Sequence, residues 1–380
     1  MKKICSILAG VTALSMAFAV GACGSPKESL AVPQYMLLDD VLYWEPVENA
    51  VGYVVAVNGE PQPQQNATYF RVADRSEEAS VRVKAIAGSE YLDSEYGAAI
   101  VREGDPASVT ELTTEAFHEL LTFPAASSSY SGELPAGAEA YAVTLTEGGL
   151  TYYLNVPSSV SLLRLTTRVE ATESVAMKIT LASRSTPFIL ELAGARLNAP
   201  ADTCFLDASA VSLSNGAGVI VRSVAPRDGE VDTATLVNSI VGGSSTKTGT
   251  DRGNAGIFTA GSTGGAGGAG SAAIVAERVV FSGNVPVEVS GGNGARGGKG
   301  GAGGYGGDGG DGGDGGKGGD AVTGIAYICT SGTPATLMGG TGGEGGAGGA
   351  TGFMFDGDKG ATGATGKQAA QTIVITGTLK

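Results

Sequence analysis

Histidine and tryptophan each occur once in the 380 residues, aromatics make up 6 %, and charged residues only 16 %. One histidine leaves a Ser-His-Asp centre or a histidine-ligated metal almost nothing to draw on. Basic residues are also short, 24 Lys and Arg against 38 Asp and Glu, for a net charge of −14. That balance excludes a nucleic-acid binder working through a basic face. Cysteine is sparse, with Cys5, Cys23, Cys204 and Cys329 at spacings that match no zinc or redox motif. Glycine alone is abundant, at 63 residues, and 44 of those lie from position 251 onward. With 42 % apolar residues the chain has enough material for buried cores.

The amino terminus carries Lys2 and Lys3, an apolar run from Ile4 to Val20, and then Val20-Gly21-Ala22-Cys23. A charged start, an apolar stretch and small residues before a cleavage point make a secretory signal. Ordinary cleavage near Ala17-Phe18-Ala19 and an uncleaved anchor are the other readings. The Val-Gly-Ala-Cys run resembles the lipobox of bacterial lipoproteins. The resemblance implies residues 1–22 as the signal peptide, Cys23 as the lipid attachment site and 23–30 as a tether. It also implies a cell-membrane or outer-membrane location outside the cytoplasm. Cys204 and Cys329 are expected as buried thiols, with a single disulfide as the alternative.

Residues 31–102 contain short β-branched runs separated by turns, including Val41–Trp44, Gly52–Val57, Tyr69–Val72 and Ser80–Ile86. This spacing predicts an antiparallel sandwich, and Asn58-Gly59 marks a hairpin. The segment from Trp44 to Tyr53 resembles the second and third strands of fibronectin type III modules, which implies Trp44 and Tyr53 as core residues. Ala79 stands where that family places its corner tyrosine.

Residues 103–139 form a linker and one helix near 112–121, with Thr113 or Thr114 as N-cap and an apolar face of Leu112, Phe117, Leu120 and Leu121. His118 is expected as a surface polar group. From 140 to 380 short strands recur without hairpin signals or helices. Stretches such as Phe188–Leu192 and Val211–Ala217 resemble the pectate-lyase-like β-helices of bacterial surface proteins. The expected fold is therefore all-β: a β-sandwich followed by a right-handed parallel β-helix with glycine-triplet excursions and one capping helix.

The most specific motif is ten consecutive triplets over 291–320, with glycine at every first position and at nine of ten second positions. Further tracts run over 261–270 and 339–366. The flanking strands align at an offset of 48, placing Val280 with Ile328 and Val289 with Leu337. Collagen is disfavoured because the triplets lack proline, and calcium-binding nonapeptides because the period is three. Disorder and a bundle of polyglycine-II helices remain, the bundle satisfying its amides between neighbours. Tyr305, Asp308, Asp311, Asp314 and Lys317 then face outward as a binding row.

No cofactor, metal or catalytic constellation is expected. Arg222, Arg227, Asp228 and Asp232 form the only dense charged cluster, a weak basis for a polysaccharide lyase-like enzyme. The function expected is adhesion or polysaccharide binding by a lipid-anchored surface protein, its partners the membrane and an extracellular polysaccharide or host glycan. The alternative is a structural cell-envelope protein without ligand.

Overall fold

The computed structural model describes residues 27–72, 75–123, 128–169, 174–213, 216–226, 237–329, 335–352 and 355–375. The signal peptide, Cys23 and the tether as far as residue 26 lie outside the described residues, as do Arg227, Asp228 and Asp232.

The chain opens with seven short strands: β1 (Tyr35–Leu38), β2 (Val41–Trp44), β3 (Ala50–Val57), β4 (Glu60–Pro61), β5 (Tyr69–Arg71), β6 (Ala79–Ala87) and β7 (Ile100–Arg102). They pair antiparallel into a three-stranded sheet, β1-β2-β5, and a four-stranded sheet, β4-β3-β6-β7. Leu42 and Trp44 from one sheet pack with Tyr53, Val55, Val81 and Val83 from the other. Trp44 is fully buried, and its ring meets Tyr53 edge to face at 5.3 Å.

Next come β8 (Thr110–Leu112), helix α1 (Thr114–Leu120) and β9 (Ser129–Glu133). Thr113 caps the helix, its hydroxyl accepting from the Ala116 N–H. Phe117 and Leu121 are buried in the main core, whereas Leu120 is exposed.

Five strands follow without a helix: β10 (Ala140–Leu145), β11 (Thr151–Val156), β12 (Leu162–Thr167), β13 (Val175–Leu181) and β14 (Phe188–Ala193). Then come β15 (Arg196–Asn198), β16 (Leu206–Asp207), β17 (Val219–Val224), β18 (Asn238–Val241) and β19 (Ile274–Val275). The last are β20 (Arg278–Gly283), β21 (Val287–Ser290), β22 (Ile325–Ile328), β23 (Thr336–Met338) and β24 (Gln371–Val374).

These strands form two broad parallel sheets. One has eight strands in the order β24-β22-β20-β17-β14-β12-β10-β8; the other has nine and includes β19-β16-β13-β15-β18-β21-β23, with β11 pairing β13 and β9. Leu163, Leu190, Val221 and Phe281 of the first sheet share one core with Leu154, Ile179, Leu197 and Val289 of the second.

This corrects the expected all-β fold of a β-sandwich followed by a right-handed parallel β-helix with a capping helix. The large parallel sheets of eight and nine strands, with a single short helix among the described residues, make an α/β-like layering instead. Regular strand spacing suggests a coil of constant circumference, but sheet partners lie at unequal separations. Ala140 sits beside Leu162, Phe188 beside Val219, and Val219 beside Val279. Parallel strands need a long return connection, commonly a helix. Here a strand of the opposite sheet provides much of it, so no helical periodicity announces the parallel pairing.

The constant offset of 48 also needs correction. Val289 does pair with Leu337, but Val280 pairs with Tyr327 and not Ile328. A one-residue slip exchanges the two faces of a strand. Tyr327 accordingly joins Val280 on the outer face, while Ile328 points into the main core.

The glycine tracts fold into paired arms: hairpins over 242–273 and 291–320, and the arms 339–352 and 355–366. Their six arms lie in two layers, held by backbone hydrogen bonds between arms. In the arm 291–304, the N–H groups of Gly294, Gly297 and Gly300 donate to Thr341, Glu344 and Ala347, each at 2.9 Å. Those of Ala295, Gly298 and Gly301 donate the other way, to Gly268, Gly265 and Ser262, at 2.8–2.9 Å. The return arm repeats this scheme: Gly312 donates to Asp358 and Gly313 to Gly298, each at 2.8 Å. Two amides of nearly every triplet thus bond to neighbouring arms, and the third side chain faces water.

Candidate functional site

The outer face of the eight-stranded sheet is already occupied. Its outward residues Ile220, Val280 and Tyr327 pack with Leu38 and Val41 of the amino-terminal unit. One step along the strands, a row of charges crosses the same face. Arg164 of β12 registers with Glu191 of β14, Glu191 with Arg222 of β17, and Arg222 with Ser282 of β20. Arg164 bonds Glu191 through Nε. Arg222 reaches across the joint to Asp39 at 2.8 Å and to Asp105 at 2.7 Å. The Ser282 hydroxyl donates to Asp39 at 2.6 Å, and Asp40 holds Arg71 and Arg75 at 2.7 and 2.8 Å.

Burial pushes the Asp39 carboxyl up, but the guanidinium groups of Arg222 and Arg75 outweigh it and hold the group below 3.8. Burial likewise opposes the charge on Arg222, and the Asp39 and Asp105 carboxylates more than restore it. A cavity of about 260 Å³ lies beside this joint, lined by Asp39, Arg102, Asp105 and Arg222 among others. Asp39, Asp105 and Arg222 are paired with one another and Arg102 donates to the Val72 and Glu77 carbonyls, which suits a clamp between two parts of the molecule. Arg222 belongs to strand β17. Each of these arginines and glutamates is the lone charge in an apolar run, Leu-Leu-Arg-Leu, Ile-Leu-Glu-Leu and Val-Ile-Val-Arg, a signal the sequence reading missed.

The outward row of the glycine tract is only partly available. Tyr305 stands at a hairpin tip and Asp308 is exposed. Asp311 and Asp314, also exposed, instead use carboxylate oxygens to accept the N–H groups of Asp358 and Ala361, at 2.9 and 2.8 Å. Lys317 pairs with Asp320 at 3.2 Å. Asp311 and Asp314 thus brace the neighbouring arm, Lys317 pairs within its own, and the five residues do not converge on one site.

The open surface is the outer face of the nine-stranded sheet. Ser131 of β9 registers with Tyr153 of β11, and Tyr153 with Lys178 of β13. In the next row Glu133 registers with Asn155, and Asn155 with Thr180. Alternation turns Tyr152, Leu154, Met177 and Ile179 into the core and leaves these polar residues outside. Ser131, Gly132, Tyr153, Asn155, Lys178 and Thr180 line a groove of about 350 Å³ across the three strands. It offers a half-exposed aromatic ring, an ammonium, an amide and two hydroxyls, with stacked strands ~4.8 Å apart.

His118 is not a simple surface group. Its Nε2 lies 2.8 Å from the Tyr152 hydroxyl, and its ring stacks on Tyr130 at 4.0 Å. Cys204 and Cys329 are both free thiols. Burial, with Asp40 nearby, pushes the Cys329 thiol up to about 12, so it serves as a small apolar core residue. Among the described residues no three His, Cys, Asp or Glu side chains gather to hold a metal ion, and no helix is long and apolar enough to cross a membrane. No family model matches the chain, and neither does any curated protein or solved structure.

Proposed function

We infer that this chain is a lipid-anchored protein of the cell surface that binds an extended polysaccharide along its nine-stranded sheet. The observation that carries this reading is the contrast between the two sheet faces. The amino-terminal unit covers the outer face of the eight-stranded sheet, whereas Ser131, Tyr153, Asn155, Lys178 and Thr180 leave the opposite face polar and open. Parallel register repeats donors and acceptors at the strand spacing, as an extended polymer requires. The Tyr153 ring supplies an apolar face with a polar tip. Anchoring through Cys23 would hold this surface outside the cell, the acyl chains supplying the membrane affinity.

The test is an array of pectins, xylans and mucin glycans probed with the lipid-free chain, Cys23→Ser. Binding that falls about tenfold in Tyr153→Ala and in Lys178→Ala, with unchanged melting, supports the groove. Equal binding by the variants, or binding to no polysaccharide, refutes it. The same Cys23→Ser chain, made in its own cells, should leave the membrane fraction.

A further inference from the structure

The most exposed large apolar side chains among the described residues are not scattered. Ile257 and Phe258 (74 % exposed each), Phe355 (67 %) and Tyr305 (66 %) all lie where the glycine hairpins fold back. Backbone bonds tie these tips together: the Phe258 N–H donates to the Tyr305 carbonyl at 3.0 Å, and the Gly309 N–H to the Phe355 carbonyl at 2.8 Å. The Phe258 and Tyr305 rings meet edge to face, 6.0 Å apart and inclined by 78°. Single exposed apolar residues are ordinary, but a fixed cluster marks a contact surface.

The backbone at Phe258 makes the same point independently. Its φ is +62°, a conformation that a bulky side chain adopts only under strain. Glycine adopts it freely, and Gly256 stands two positions away in a chain unusually rich in that residue. The turn therefore keeps a strained phenylalanine and shows its ring to solvent. Neither burial nor turn geometry accounts for that ring.

The surroundings select the occupant. Within three positions of these four residues the charged side chains are Asp308, Asp356 and Asp358, with no lysine or arginine. An acidic rim disfavours an anionic lipid leaflet, which recruits basic segments. Two rings at 78° share no flat platform on which a sugar ring could stack across both. Aromatic anchors within a polar rim have the anatomy of a protein interface, and charge complementarity gives the partner a basic border.

We propose that the hairpin tips form a docking patch for a partner protein that offers an apolar pocket rimmed by lysine and arginine, with Phe258 as the central anchor. This patch is separate from the sheet groove, so failure of either reading leaves the other standing.

The probe is a random dodecapeptide library displayed on phage and panned on the lipid-free full chain, with counter-selection on Phe258→Gly. Glycine removes the ring and relieves the strain, so this variant should melt no lower than the parent. The expected peptides carry an apolar anchor flanked by Lys or Arg, bind the parent about tenfold or more tighter than Phe258→Gly, and weaken as salt rises. Tyr305→Ser and Phe355→Ser should each weaken the same peptides. The proposal is overturned if no peptide distinguishes parent from variant, or if enriched peptides lack basic residues. It is equally overturned if Phe258→Gly lowers the melting temperature, which would make the ring structural, or if the parent binds phosphatidylcholine vesicles through the same residues.

Discussion

At Gly313, an added Cβ would collide with the Gly265 carbonyl of a neighbouring arm, and the same holds at Gly310 with Ser262. Both N–H groups donate to the arm that precedes them, Gly310 to Gly301 and Gly313 to Gly298. Gly310→Ala or Gly313→Ala should therefore separate arms and leave buried amides unpaired, each at about 1–3 kcal/mol. Asp308→Ala, which changes an exposed side chain, should stay within about 0.5 kcal/mol. Asp311→Ala removes the acceptor of the Asp358 N–H and should cost about 0.5–1.5 kcal/mol. Chemical denaturation of the three classes of variant gives this ranking directly. Asp39 makes a second residue-scale case. Its folded pKa is depressed below 3.8, so its contribution is present above about pH 4 and is lost as pH falls through the folded value. Asp39→Asn should weaken the clamp on Arg222 by about 3–5 kcal/mol at neutral pH and flatten the acid limb of the stability profile.

Among elements, glycine content follows the number of neighbours an arm must serve. The arms 291–304 and 307–320 contact others on several sides and carry glycine at nearly two of every three positions. The last arm, 355–366, lies at an edge and keeps one glycine per triplet, at 357, 360, 363 and 366, each donating to the arm 339–352 at 2.9 Å. The first arm, over 242–257, is also at an edge and is rich in Ser and Thr. Its N–H groups at Gly249 and Arg252 donate to Arg296 and Lys299, at 2.8 and 3.0 Å. Gly363→Ala should thus destabilise the plate by about 1–3 kcal/mol, whereas Thr362→Ala and Thr365→Ala should be near neutral by thermal melting. The same rule decides which arms are legible in the sequence. The interior arms advertise themselves by period three. The edge arm at 242–257 does not, because it meets fewer neighbours and is released from glycine. Likewise Trp44 and the alternation in Ala79–Ala87 make the amino-terminal strands legible. The pairing of Val280 with Tyr327 depends on one residue fewer between β20 and β22 than between β21 and β23, which an ungapped alignment cannot contain.

Across the whole molecule, three bodies of backbone hydrogen bonding join: the antiparallel unit around Trp44, the paired parallel sheets, and the glycine plate that grows from their edge. The joint between the first two is polar at Asp39 and Arg222 and apolar at Leu38, Val41 and Tyr327. Trp44→Ala should cost about 3–5 kcal/mol and melt the antiparallel unit first, followed by far-ultraviolet dichroism. The charged row and the groove were not legible as sites, since register between distant strands is what brings Arg164, Glu191 and Arg222, or Tyr153 and Lys178, into line. The plate is the most demanding part of the fold, because glycine loses the most entropy on ordering and only paired amides can offset that loss. Residue-resolved amide hydrogen exchange across 291–320, by NMR, tests it most directly. The expected pattern has a period of three: slow exchange at Gly294 and Ala295, fast at Arg296; slow at Gly297 and Gly298; slow at Gly312 and Gly313, fast at Asp314. Uniformly fast exchange through all ten triplets would contradict it.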